Sequence, residues 1–119
     1  MKQFILFISG NSKFCHHINY DTFEKVLDIL LSNKQDYTIG ISYSLYCDGL
    51  TTYINRYCSD RKIDSYGTTS SMTYFRKMTI NGVVLFSING RLGAVAEEIN
   101  EYYKGNSKRI INLNSDGTI

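Results

Sequence analysis

The feature that most constrains this chain is a change of rhythm that repeats along its length. Apolar or β-branched runs, each short enough for a strand, alternate with stretches whose apolar residues recur at helical spacing. "FILFIS" predicts a first strand from Phe4 to Ser9. In "DTFEKVLDILLSN", Phe23, Val26, Leu27, Leu30 and Leu31 share one helical face, and Asp21 with Glu24 predicts a capping-box start. "YTIGISYS" predicts a second strand from Tyr37 to Tyr43. Leu50, Tyr53, Ile54, Tyr57 and Cys58 then return to helical spacing, with Asp48 as N-cap. A short strand is expected around Lys62 to Tyr66, and "TSSMTYFRKM" reads as polar, then mildly helical. Gly82 to Phe86 is the fourth strand. Val95, Ile99 and Tyr102 mark a helix that Gly105 would end. "RIINLN" is the fifth strand. Strands separated by helices pair in parallel through right-handed crossovers. The expected fold is therefore α/β, a five-stranded parallel sheet flanked by helices. It forms one domain over residues 1–114, with a tail over 115–119.

Composition narrows the partners. The net charge is +2 and the Lys and Arg residues are scattered, so no basic tract or helix face suggests nucleic-acid binding. No window approaches the roughly 18 uninterrupted apolar residues of a membrane span. "MKQFILFISG" has the basic residue and apolar run of a signal peptide, but no small-residue cleavage site precedes polar "NSK", so a buried first strand is the better reading. Cys15, Cys47 and Cys58 are odd in number and form no C-x-x-C, which suggests reduced thiols in the cytoplasm.

Parallel sheets bind ligands at the carboxyl ends of their strands. That selects loops 9–17, 42–49, 66–76 and 87–94. In the first, Gly10, Asn11, Ser12 and Lys13 are candidate ligand contacts; glycine admits a close backbone approach and the lysine meets a phosphate. His16 and His17 are adjacent and point apart, a poor metal pair with no further shell, so no metal or cofactor is expected. In the second loop Tyr43, Ser44 and Asp48 are candidates. Tyr43 and Tyr46 either stack on a base or cover the sheet edge, and Cys47 sits near a helix start. Arg76 and Lys77 offer planar recognition of phosphate or form a solvated pair. In "SINGRLGAVAEEI", Asn89, Gly90, Arg91 and Gly93 form a tight turn into a helix. Glu97, one helical turn past Gly93, looks back toward the same space, while Glu98 points about 100° away. Glu97 is either a complement to the helix dipole or a group acting on a bound sugar.

"MTYFRKM" followed by "GVVLFSINGRLGAVAEEI" resembles the Lonely-Guy branch of the SLOG superfamily of Rossmannoid, DprA-like proteins. There Met-His-x-Arg-Lys-x-x-Met precedes an apolar strand and Pro-Gly-Gly-x-Gly-Thr-x-x-Glu. Arg76 and Lys77 fall on the Arg-Lys pair, Gly90 and Gly93 on the first and last glycines, and Glu97 on the glutamate. Asn89, Arg91 and Ala94 replace the proline, second glycine and threonine. "FISGNSKF" is similar to the Gly-Ser-Arg-x-Phe start of a small bacterial and phage branch, and "CDGL" sits at the family's Met-Gly helix start. The resemblance implies a five-stranded Rossmannoid, dimeric, that binds nucleotides. Active members cleave the N-glycosidic bond to ribose 5-phosphate, and the related deoxyribosyltransferases use a glutamate nucleophile. Because the glycines are depleted, the expected function is binding of a nucleotide-like ligand without turnover, as a sensor or sponge of the phage or defence kind. One alternative is an N-glycosidase or deoxyribosyltransferase. There Glu97 and Arg76 would be catalytic: Glu97 engages C1′, Arg76 and Lys77 hold the 5′-phosphate, and residues 89–94 supply backbone donors. The other is a homo-oligomeric scaffold joined through its tyrosine-rich second helix.

Overall fold

The computed structural model describes residues 2–45, 48–68 and 79–119. Five strands form one sheet: β1 (Lys2–Gly10), β2 (Tyr37–Ser44), β3 (Asp64–Thr68), β4 (Gly82–Ile88) and β5 (Lys108–Leu113). Their order is β3-β2-β1-β4-β5 and every pairing is parallel. Helices α1 (Tyr20–Leu30), α2 (Asp48–Arg61) and α3 (Ala94–Tyr102) flank it, and a short 3-10 turn covers Phe14–His16. This is the expected Rossmann-like α/β architecture.

Burial follows strand position. β1 and β4 are central, so both their faces are covered and "ILFIS" and "VVLFS" run buried without alternation. On one face Leu6, Ile8, Ile41, Val84 and Phe86 meet Phe23 and Leu27 of α1 and Leu50, Ile54 and Tyr57 of α2. On the other, Phe7, Val83 and Leu85 meet Leu92 and α3 residues Ala96 and Ile99. The edge strand β3 is exposed from Asp64 to Gly67. Among the described residues no helix is long and apolar enough to cross a membrane.

Several local expectations change. Asn19, not Asp21, caps α1, accepting from Thr22 N at 2.9 Å. Glu24 is therefore free to reach α2, where Arg61 bonds it at 3.0 Å and Asp28 at 3.2 Å. The same guanidinium lies 4.0 Å above the Tyr57 ring, and the Tyr57 hydroxyl donates to Asp28 at 2.7 Å. The third strand starts later than expected, because Lys62 with φ 54° closes α2 in a Schellman motif: Ile63 N bonds Cys58 O at 2.9 Å. Helix α3 stops at Tyr102 without a glycine cap, since Tyr103 is already extended. Residues 114–118 are a folded turn, with Asn114 N donating to Thr118 O at 2.7 Å.

Cys58 is buried in the α2 core, and burial pushes its thiol from 9.0 to about 11. The unfolded chain thus releases this proton first. Between pH 9 and 11 it binds fewer protons than the folded state, so stability present below pH 9 is lost as pH rises. From pH 9 to 10, before the buried Tyr57 hydroxyl adds its own loss, urea unfolding should show a fall of roughly 1 kcal/mol, most of which Cys58→Ala removes.

Candidate functional site

The site is built where β1 and β4 run side by side, because the chain leaves these two strands in opposite directions. Gly10 ends β1 against β4: a Cβ there would lie 2.5 Å from Phe86 O. That closeness lets Asn11 N continue the ladder to Phe86 O at 2.8 Å. The loop beyond is anchored by Phe14, whose ring is fully buried 4.7 Å from the Phe86 ring. Between these anchors, Asn11 Oδ1 accepts from Lys13 N at 3.0 Å and folds the loop back on itself.

After β4, residues 88–91 form a two-residue hairpin turn. Ile88 and Arg91 exchange both backbone hydrogen bonds, at 3.0 and 2.9 Å. Asn89 and Gly90 have φ values of 48° and 80°, the type I′ geometry that Asn-Gly favours. Asn11 Nδ2 donates to Arg91 O at 3.2 Å, tying this turn to the first loop. Gly93, with φ 88°, then opens α3 with no side-chain cap on its first-turn amides.

Together these loops enclose a cleft of about 440 Å³ lined by Asn11, Lys13, His17, Ile88, Asn89 and Arg91. Among the described residues no carboxylate lines it. The Lys13 and Arg91 side chains form no ion pair among the described residues, and both are exposed. Two cations facing an open cleft, with no acid beside them among the described residues, attract an anion. A second cleft of about 400 Å³ lies at the amino ends of β1 and β4, between α1 and β5. Ligands of open α/β sheets gather at the opposite rim, so the first cleft is the functional candidate.

The predicted residues divide accordingly. Asn11, Lys13, Asn89 and Arg91 share the cleft. Gly10 and Gly93 shape its edges, and Ser12 is exposed on the loop. Glu97 and Glu98 are exposed on α3 and lie outside the cleft lining. Tyr43 is buried against α2, its hydroxyl donating to Asn55 Oδ1 at 2.9 Å, so it belongs to the core rather than the rim. Ser44 is buried in a 3.2 Å contact with the Ser9 hydroxyl. Asp48 is the first residue of α2. Arg76, Lys77, Tyr46 and Cys47 lie outside the described residues.

The backbone donors expected from 89–94 are largely committed elsewhere. Asn89 N donates to Leu113 O at 2.9 Å, Gly90 N to Asn112 Oδ1 at 2.8 Å, and Arg91 N to Ile88 O. Among the described residues no group of three or more His, Cys, Asp or Glu could hold a metal. Compared with known proteins, the chain matches no family model, no curated protein and no solved structure.

Proposed function

We propose that the carboxyl-end cleft binds a nucleotide-like small molecule through its phosphate, as a sensor or sponge without turnover. The observation that carries this reading is the pair Lys13 and Arg91 in one cleft that no carboxylate of the described residues lines. Likeness of "SINGRLGAVAEEI" and "FISGNSKF" to SLOG proteins supports a nucleotide over other phosphates and points to a dimer, and the odd cysteine count without C-x-x-C points to the cytoplasm. Glu97 outside the cleft lining favours binding over bond cleavage.

The test is thermal unfolding with nucleoside 5′-monophosphates, nucleosides and inorganic phosphate, followed by chromatography for free base. The expected result is a rise in Tm that grows with the logarithm of monophosphate concentration; a hundredfold excess over Kd adds about 2.7 kcal/mol. Nucleosides should give none. Release of free base that disappears in Glu97→Gln would replace the binder with an N-glycosidase. No shift with any monophosphate at millimolar concentration would remove both readings.

A further inference from the structure

Asn112 is absent from the residues that sequence reasoning selected, yet three bonds converge on it. Its Oδ1 accepts from Ser87 Oγ at 2.8 Å and from Gly90 N at 2.8 Å. Its Nδ2 donates to Asn114 Oδ1 at 2.9 Å. The Gly90 amide is an obligate donor, so the atom facing it must be the amide oxygen, and this fixes the orientation of the whole side chain. Ser87 and Asn112 are register partners on β4 and β5. Ser87 is buried, so its hydroxyl needs this acceptor. One residue on, Asn89 N bonds Leu113 O at 2.9 Å.

The turn that carries Arg91 is thus fastened to β5 through two consecutive amides, one held by main chain and one by the Asn112 side chain. The other tie on this turn is the Asn11 Nδ2 bond to Arg91 O, which comes from the first loop rather than from the sheet. We infer that Asn112 is the positioning residue of the cleft: it fixes the 88–91 turn and so aims Arg91 at the anion. The ligand part of this inference rests on the binding function proposed above; the turn part does not.

The experiment uses the full chain and reads two quantities. Hydrogen exchange reports the Gly90 amide, and titration with adenosine 5′-monophosphate reports affinity. In Asn112→Ala, Gly90 should exchange about tenfold faster or more while Val84 and Leu85 stay protected, because the three bonds lost, to Ser87 Oγ, Gly90 N and Asn114 Oδ1, all lie at the carboxyl ends of β4 and β5 and no apolar core contact goes with them. Affinity should fall by a similar factor at a temperature where the variant is fully folded. Asn114→Ala removes the bond from Asn112 Nδ2 and its own to Thr118 Oγ1, but none to the 88–91 turn, and should leave both quantities unchanged. Asn112→Asp keeps an acceptor oxygen and should restore Gly90 protection. If Asn112→Ala does not fold, a through-bond coupling between the Gly90 nitrogen and the Asn112 amide carbon in the native chain decides the contact. Unchanged Gly90 exchange in Asn112→Ala, or absence of that coupling, overturns the inference. So does unchanged affinity in Asn112→Ala when Arg91→Ala has lost it. A native chain that binds no monophosphate refutes the functional reading alone, and the exchange result still judges the turn.

Discussion

Arg91→Glu should abolish monophosphate binding and leave the fold intact. The backbone of residue 91 closes the turn through its N–H and C=O, and any side chain preserves those bonds. The guanidinium itself is exposed and pairs with no acid among the described residues, so its loss breaks no ion pair among them. For a bound phosphate the change is large. A charged hydrogen bond worth about 1.5–3 kcal/mol disappears, and a carboxylate is set against the anion in its place. The combined loss is on the order of a hundredfold to a thousandfold in Kd. Calorimetric titration with adenosine 5′-monophosphate, beside a Tm within about 1 °C of the native chain, is the decisive pair of measurements. Native affinity in Arg91→Glu would show that the ligand sits elsewhere.

The strands were legible because burial and period agree. β1 and β4 are unbroken apolar runs because they lie between neighbours and under helices on both faces. The period of β2 also answers the question left open at Tyr43. Ile39, Ile41 and Tyr43 alternate onto one face, and Ile41 is fully buried beneath the helices, so the tyrosine follows it inward. Lys62 was the opposite case. Without glycine, nothing in the local composition distinguishes a left-handed helix end from the first residue of an edge strand, so the sequence pattern starts β3 two residues early.

At the site, Asn89-Gly90 carried two signals. In isolation the dipeptide between apolar runs indicates a hairpin turn, and beside Gly93 and Glu97 it resembles a phosphate cradle. The structure gives the turn, and with it the engagement of Asn89 and Gly90 amides by β5. Asn112 escaped notice because a polar residue near the end of an edge strand is ordinary until its partners are known. Lys13 and Arg91 are 78 positions apart, and only the parallel β1–β4 pairing brings them to one cleft.

That pairing makes Gly10 the most demanding position in the chain. In Gly10→Ala the new methyl would sit 2.5 Å from Phe86 O and 2.8 Å from both Phe86 N and Phe86 Cβ. None of these is the end of a flexible side chain, so relief requires β1 and β4 to separate at their buried carboxyl ends. The bond from Asn11 N to Phe86 O would be lost, and the Phe14–Phe86 ring contact beneath it would loosen. Overpacking of this kind plus a broken ladder bond amounts to roughly 2–4 kcal/mol, a large share of the about 5–15 kcal/mol that holds a domain of this size. Urea unfolding should show the midpoint falling with an unchanged slope. Gly117→Ala is the matched control. Its φ of 86° carries strain but open space surrounds it, so about 1 kcal/mol is expected. Equal midpoints for the two variants would mean that β1 and β4 do not approach as described. Because Asn11 also holds Arg91 O, Gly10→Ala should weaken monophosphate binding even below its unfolding transition, whereas Gly117→Ala should not.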